Sequence, residues 1–230
     1  MKITLIYPYY DNGEMLKEHL KEWSRFKEKN NFKIIIVDDC SPNKPAIDYI
    51  QDVGIDINLF RIDTQIPWNQ DGAKNLAMKH ASGWCLMADM DMVLSAKEAN
   101  ILINLDLDEK AYYRVLRRNI NDNRISFHPN SFIMDSKMYW RMGGYDEAFA
   151  GYYGSDAAFS NRLKRLIGNE KPSPVLLTQY SRNVIKDSDT LDFGRTNTKY
   201  HVSNNFRLRV RRKISPKPIT PLNFEWHKII

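Results

Sequence analysis

The chain has 230 residues, a hydrophobic fraction of 43% and a formal net charge of +6, which together support one cored domain, or one domain with an appendage. Apolar runs of five or six residues are too short to span a bilayer, and the N-terminus lacks the apolar stretch of a signal peptide. Cys40 and Cys85 are too few for a disulfide framework, so a cytoplasmic protein is expected. Arg207, Arg209, Arg211, Arg212, Lys213 and Lys217 account for the whole positive excess and leave a near-neutral body.

The elements follow an α/β order. Ile3 to Tyr7 reads as a strand, and Glu14 to Lys29 as a helix with Met15, Leu16, Leu20, Trp23 and Phe26 on one face. Lys33 to Val37 is a β-branched run without polar alternation, as in a parallel strand buried on both faces. Strand, helix, strand at this spacing is a right-handed βαβ unit. The pattern continues with a helix near 44–52, a strand near 56–62, a helix near 72–81 and a strand over 84–88. From 95 the order changes. A helix near 95–103 precedes strands of mixed direction at 112–116 and 131–134, a glycine-punctuated loop at 143–154 and a helix over 155–167. The expected division is a domain over 1–204 and a basic extension over 205–230 that packs on or near it.

Asp89-Met90-Asp91 closes the fourth strand. Two carboxylates one residue apart beside a buried strand repel each other, and a divalent cation relieves that conflict. Mg²⁺ or Mn²⁺ suits such oxygens and would present open positions to a diphosphate. Asp38 and Asp39 follow the second strand, where a carboxylate can bind ribose hydroxyls or a base edge. Gly72-Ala73-Lys74-Asn75 opens a helix whose amides favour anions, and Lys74 offers a point charge to a phosphate. Trp68, just before it, offers a stacking surface. Asp156 begins the helix after a loop with four glycines and four aromatics, in a setting suited to a general base. His201 offers a further metal ligand. His19 and His80 read as surface or boundary residues. Each motif also has a plainer reading: a turn or cap for the Asp-x-Asp, a cap at Asp39 or Ser41, an ordinary helix start at Gly72, a first-turn acid at Asp156.

Taken in order over residues 3–160, Tyr7-Pro8-Tyr9-Tyr10, Val37-Asp38-Asp39-Cys40-Ser41-Pro42, Gly72 to Ala77, the Asp89–Asp91 triplet and Gly143 to Asp156 resemble a GT-A-fold glycosyltransferase of the inverting family 2 type. The late stretch is also similar to that of galactosyl- and N-acetylgalactosaminyltransferases. The resemblance implies a Rossmann-like, mixed, mainly parallel sheet flanked by helices. It places Pro8 and Asp39, with Asp38, in a nucleotide pocket and Lys74 near the nucleotide. It makes Asp89 and Asp91 the metal motif, Asp89 meeting ribose or metal-bound water, with His201 completing the metal site and Asp156 as the base. Ser155 stands where the family often has Glu, which leaves the acceptor open.

The implied reaction is metal-dependent transfer of a sugar from a nucleotide-sugar, a UDP-sugar being the commonest donor, to a glycan or other hydroxyl acceptor. A nucleotidyltransferase of similar fold lacks support, because no glycine-rich basic loop follows the first strand. A non-catalytic sugar- or nucleotide-binding module is the other alternative. Alternating residues from Phe206 to Arg211 suggest a strand with one charged face. An edge strand protected by charge comes first for it, then an anionic membrane surface met by 207–217, which would make the protein peripheral to the membrane. No specific nucleic-acid partner is expected, because no recognition motif accompanies the charge.

Overall fold

The computed structural model describes residues 1–151, 154–186 and 221–230. His201 and the basic stretch 207–217 lie outside these residues. Four parallel strands come first: β1 (Ile3–Tyr9), β2 (Phe32–Asp38), β3 (Asp56–Ile62) and β4 (Trp84–Met87). In space they run β3-β2-β1-β4, with Leu5 opposite both Ile34 and Leu86. Their side chains divide between two cores, which explains the unbroken apolar runs. Leu5, Tyr7, Ile34 and Ile36 pack against α1 (Gly13–Ser24) and α3 (Ala96–Ile103). Ile6, Ile35 and Val37 pack against α2 (Gln70–Lys79), α4 (Ser136–Arg141) and α5 (Ser155–Leu166).

Because α1 crosses on one face and α2 on the other, the winding reverses between β1 and β4. Sheets of this class open a ligand crevice at that point, beyond the carboxyl ends of the strands. Beyond β4 the sheet turns mixed. β7 (Ile125–Asp135) is antiparallel to β4 and to β6 (Tyr112–Asn119), β8 (Glu170–Gln179) runs parallel to β6, and β5 (Met92–Val93) closes that edge. At the other edge β9 (Trp226–Lys228) lies antiparallel to β3.

The helix expected near 44–52 is only a 3-10 turn over Ala46–Asp48. Pro45 is extended at its start, and the Asp38 carboxylate accepts hydrogen bonds from the amides of Ser41 and Ala46, both at 2.8 Å. These bonds compete with helix formation. The helix expected over 14–29 ends at Ser24, since Phe26 turns in to pack its ring 4.7 Å from that of Phe32. Residues 221–230 join the sheet through β9, where Trp226 lies opposite Ile62. No helix among the described residues is long and apolar enough to cross a membrane.

Candidate active site

The crevice is built from the carboxyl ends of β1, β2 and β4, the start of α2, a bulge in β7 and the start of α5. Pro8 is buried in β1 opposite Val37, one residue before the strand ends. Asp38 and Asp39 part company. Asp38 is fully buried, and its oxygens serve Ser41, Ala46 and the Arg61 guanidinium at 3.2 Å, so it fastens the loop from within rather than facing the crevice. Asp39 accepts from the Asn69 amide at 2.9 Å through Oδ2, while its buried Oδ1 has no partner. Burial, offset by the Asn69 bond and reinforced by Asp38 and Asp71, pushes its carboxyl up to about 8. The side-chain Nδ2 of Asn69 is likewise buried without a partner. An unpartnered acceptor and an unpartnered donor on neighbouring residues are costly in a folded protein, and a ligand that satisfies both offsets that cost.

Asp89 holds the centre. Burial pushes its carboxyl up, but Lys74, His128 and the hydrogen bonds it accepts outweigh this and hold it below its ordinary value of 3.8. Lys74 is fully buried, with Nζ 2.7 Å from Asp89 Oδ1 and 5.1 Å above the Tyr145 ring. The point charge expected to meet a phosphate is thus committed to Asp89. Gln70 also donates to Asp89 Oδ1, and Asn130 donates to Oδ2 at 3.2 Å. Asp91 accepts from Gln179 Nε2 at 3.2 Å.

Asp89, Asp91 and His128 each offer a ligand atom, all within 4.8 Å of one another. This two-carboxylate, one-imidazole set fits Mn²⁺ or Mg²⁺ in donor type. His128 is 5% exposed, and burial pushes its imidazole down to about 4, against the pull of Asp89, so it is neutral at pH 7. Its Nδ1 lies 2.7 Å from Ser131 Oγ, a partner that fixes the ring and can leave the Nε2 lone pair toward the carboxylates. No motif in the sequence points to His128. The available signal was Pro129 inside a strand, since proline in an interior strand marks a bulge. Arg114 faces Phe132 and Leu116 faces Phe127, so His128-Pro129-Asn130-Ser131 bulges between them and aims His128 and Asn130 at Asp89.

His19, expected at the surface or the boundary, is fully buried; its Nε2 lies 2.8 Å from the carbonyl of Met90, which stands between the two acids. Desolvation pushes it down to about 4, so the neutral ring donates to that carbonyl and steadies the loop. Gly72 makes room for the Asn69 side chain and Phe224, which a Cβ would meet. Gly144 has φ +70, and a Cβ there would sit 2.6 Å from Asn75 Oδ1. Asn75 clamps the glycine loop: its Oδ1 accepts from the Tyr145 amide at 2.9 Å, and its Nδ2 donates to Tyr145 O at 3.0 Å and Glu147 Oε1 at 2.7 Å. That loop leads to Asp156, half-buried in the first turn of α5, whose charge acts on both His128 and Tyr145. Trp68, half-buried at φ +46, donates from its indole to Gln70 at 3.0 Å.

Residues 4–167 match the family model of glycosyl transferase family 2. The chain belongs to that family. Solved structures share its fold. This family 2 chain superposes on the mannosyltransferase PcManGT from Pyrobaculum calidifontis, in complex with GDP-Man and Mn²⁺, with a TM-score of 0.64 and 14% identity, covering 91% of this chain and 64% of that one. It superposes on S. aureus TarS 1-349 in complex with UDP-GlcNAc with a TM-score of 0.65 and 14% identity, covering 84% and 61%. For GalNAc-T7 with UDP, GalNAc and Mn²⁺ the values are 0.63 and 11%, covering 79% and 44%. The chain thus spans under two thirds of the length of each of these three. No curated protein sequence matches it.

Proposed function

We propose that this family 2 chain is a metal-dependent, inverting glycosyltransferase that moves a sugar from a nucleotide-sugar to an acceptor hydroxyl. The observation that carries the reading is the Asp89–Asp91–His128 cluster at the strand-order reversal, in a chain whose family match covers 4–167. Asp91 and His128 would hold the metal, with Asp89 between it and Lys74. When bound, the metal supplies positive charge to a leaving diphosphate.

Asp39 and Asn69 read the base. Uracil and guanine present a ring N–H beside a carbonyl: the N–H donates to Asp39 Oδ1 and so favours its ionised form, while the carbonyl accepts from Asn69 Nδ2; cytosine has no such N–H. UDP is the preferred reading, since TarS and GalNAc-T7 were captured with uridine nucleotides. Asp38 contributes by fastening the loop that carries Asp39. Asp156 accepts the proton of the acceptor hydroxyl as that oxygen attacks the anomeric carbon. The bond from that carbon to the diphosphate breaks on the opposite face, and the configuration inverts.

Calorimetric titration of UDP, GDP and CDP, with Mn²⁺ and with EDTA, on wild type and Asp91→Ala tests this. The expected result is metal-dependent binding of UDP, lost in the variant, with no binding of CDP. Failure of every nucleotide to bind in Mn²⁺ would refute the donor site.

A further inference from the structure

Three of the exposed large apolar side chains gather on the β6–β7 hairpin: Ile120, Ile125 and Phe127, at 39%, 53% and 42% exposure. Ile125 lies opposite Arg118 and Phe127 opposite Leu116, and such cross-strand neighbours share a face. The Arg114 guanidinium lies 4.7 Å over the Phe127 ring. With Arg117 and Arg124 the outer part of the hairpin, residues 114–127, carries four arginines and one acid, Asp122, whose carboxylate accepts from the Arg124 amide at 3.0 Å. Arg114 pairs with Glu170 of β8 at 3.6 Å, which leaves Arg118 and Arg124 as the exposed pair without an acid partner among the described residues. Charge on a strand often serves to protect a sheet edge, but β6 lies between β8 and β7, and β7 lies between β6 and β4. Edge protection therefore does not explain these arginines.

The hairpin tip adjoins the site. The Ile120 amide donates to Gln179 O at 3.0 Å, Asn121 Nδ2 donates to Ser181 Oγ at 2.6 Å, and Gln179 in turn donates to Asp91. We propose that this hairpin docks on an anionic lipid surface. Its isoleucines and phenylalanine enter the boundary between headgroups and acyl chains, and its arginine forks meet lipid phosphates. Docking there holds the Asp91 mouth at the membrane face, where a lipid-borne hydroxyl is the acceptor class that can reach it. The acceptor assignment rests on the transferase reading; the docking does not.

The test is co-sedimentation of the full chain with vesicles of phosphatidylcholine alone and of phosphatidylcholine with phosphatidylglycerol, at low and high salt. The variants are Ile125→Ser/Phe127→Ser and Arg118→Glu/Arg124→Glu, both at exposed positions and both leaving 207–217 intact. Wild type should bind the anionic vesicles, and each variant should lose about tenfold or more in affinity at an unchanged melting temperature. Equal binding by wild type and both variants would assign lipid binding to another segment and overturn the proposal. So would no binding to either vesicle, loss in the arginine variant alone with full competition by polyphosphate, or a concentration-dependent dimer abolished by the serine variant. Calorimetry with UDP and Mn²⁺ on the same samples separates failure of the docking from failure of the donor site.

Discussion

Lys74→Met tests the centre of the site. Methionine keeps the length and helix propensity of lysine and removes the charge. Removing one partner of a buried ion pair costs about 3–5 kcal/mol, because the other charge is left uncompensated. Asp89 is one-fifth exposed and keeps its bonds from Gln70 and Asn130, which places the loss near the lower end, about 3 kcal/mol. For a chain of this length that lowers Tm by roughly 6–12 °C. The sign with pH follows from the held-down Asp89 carboxyl. Its stabilising contribution is present above 3.8 and is lost as pH falls through its folded value, so the gap between variant and wild type narrows in acid. A divalent ion beside Asp89 would restore the missing positive charge. Thermal melts in saturating Mn²⁺ and in EDTA should therefore show a larger metal-induced rise in the variant than in wild type. A loss below about 1 kcal/mol in EDTA, the scale of a surface pair, would refute the buried-pair account. Equal Mn²⁺ shifts in both proteins would refute metal binding beside Asp89.

Three further perturbations probe the surroundings. Asp39→Asn should raise Tm at pH 7–8 and converge with wild type near pH 4, because a carboxyl raised to about 8 loses stability as pH climbs from 3.8; the same variant should lose UDP affinity, and a lower Tm at pH 8 would contradict the burial argument. His19 is lowered to about 4 from 6.5, so stability should fall as pH drops from 6.5 to 4; His19→Gln should flatten that slope in pH-dependent melts, and an unchanged slope would assign it elsewhere. Glu147→Ala removes the acceptor of the Leu222 and Asn223 amides, at 2.7 and 3.1 Å; it should cost about 2 kcal/mol and speed amide exchange across 221–228, and unaltered protection there would sink the idea that Glu147 anchors the C-terminal segment.

What could be read from the sequence was what lies along one element. The parallel strands were legible because runs such as Ile34 to Val37 are buried on both faces and show no polar alternation. Asp89 and Asp91 were legible because two acids at a strand end are costly without a purpose. His128, by contrast, joins Asp89 across a β4–β7 pairing and only through a bulge. No local periodicity encodes which strand lies beside which, and Pro129 announced the irregularity without saying where it pointed. The Asp38–Asp39 pair shows the same limit in reverse. Adjacent residues of one strand end point to opposite sides, so one fastens a loop while the other keeps a buried oxygen without a partner, and identical chemistry in the sequence becomes two different settings.

The Gly72-Ala73-Lys74-Asn75 start of α2 carries this furthest. As a tetrapeptide it reads as an ordinary helix opening, with an anion contact as its other reading. In the fold each of three residues serves a different neighbour: Gly72 yields space to Asn69 and Phe224, Lys74 neutralises Asp89, and Asn75 meets both faces of the loop that leads to Asp156. Glu147 extends that clamp to the C-terminal segment, since one of its oxygens accepts from both Asn75 and Leu222. The helix therefore sets Asp89, the Asp39–Asn69 pair and the loop that leads to Asp156 against one rigid element. That fits the proposed transfer, in which donor and acceptor must be aligned within a fraction of an ångström. A change at Asn75 that spares the fold should then disturb Asp156 and Asp89 together, whereas a change in an independent loop would disturb only one.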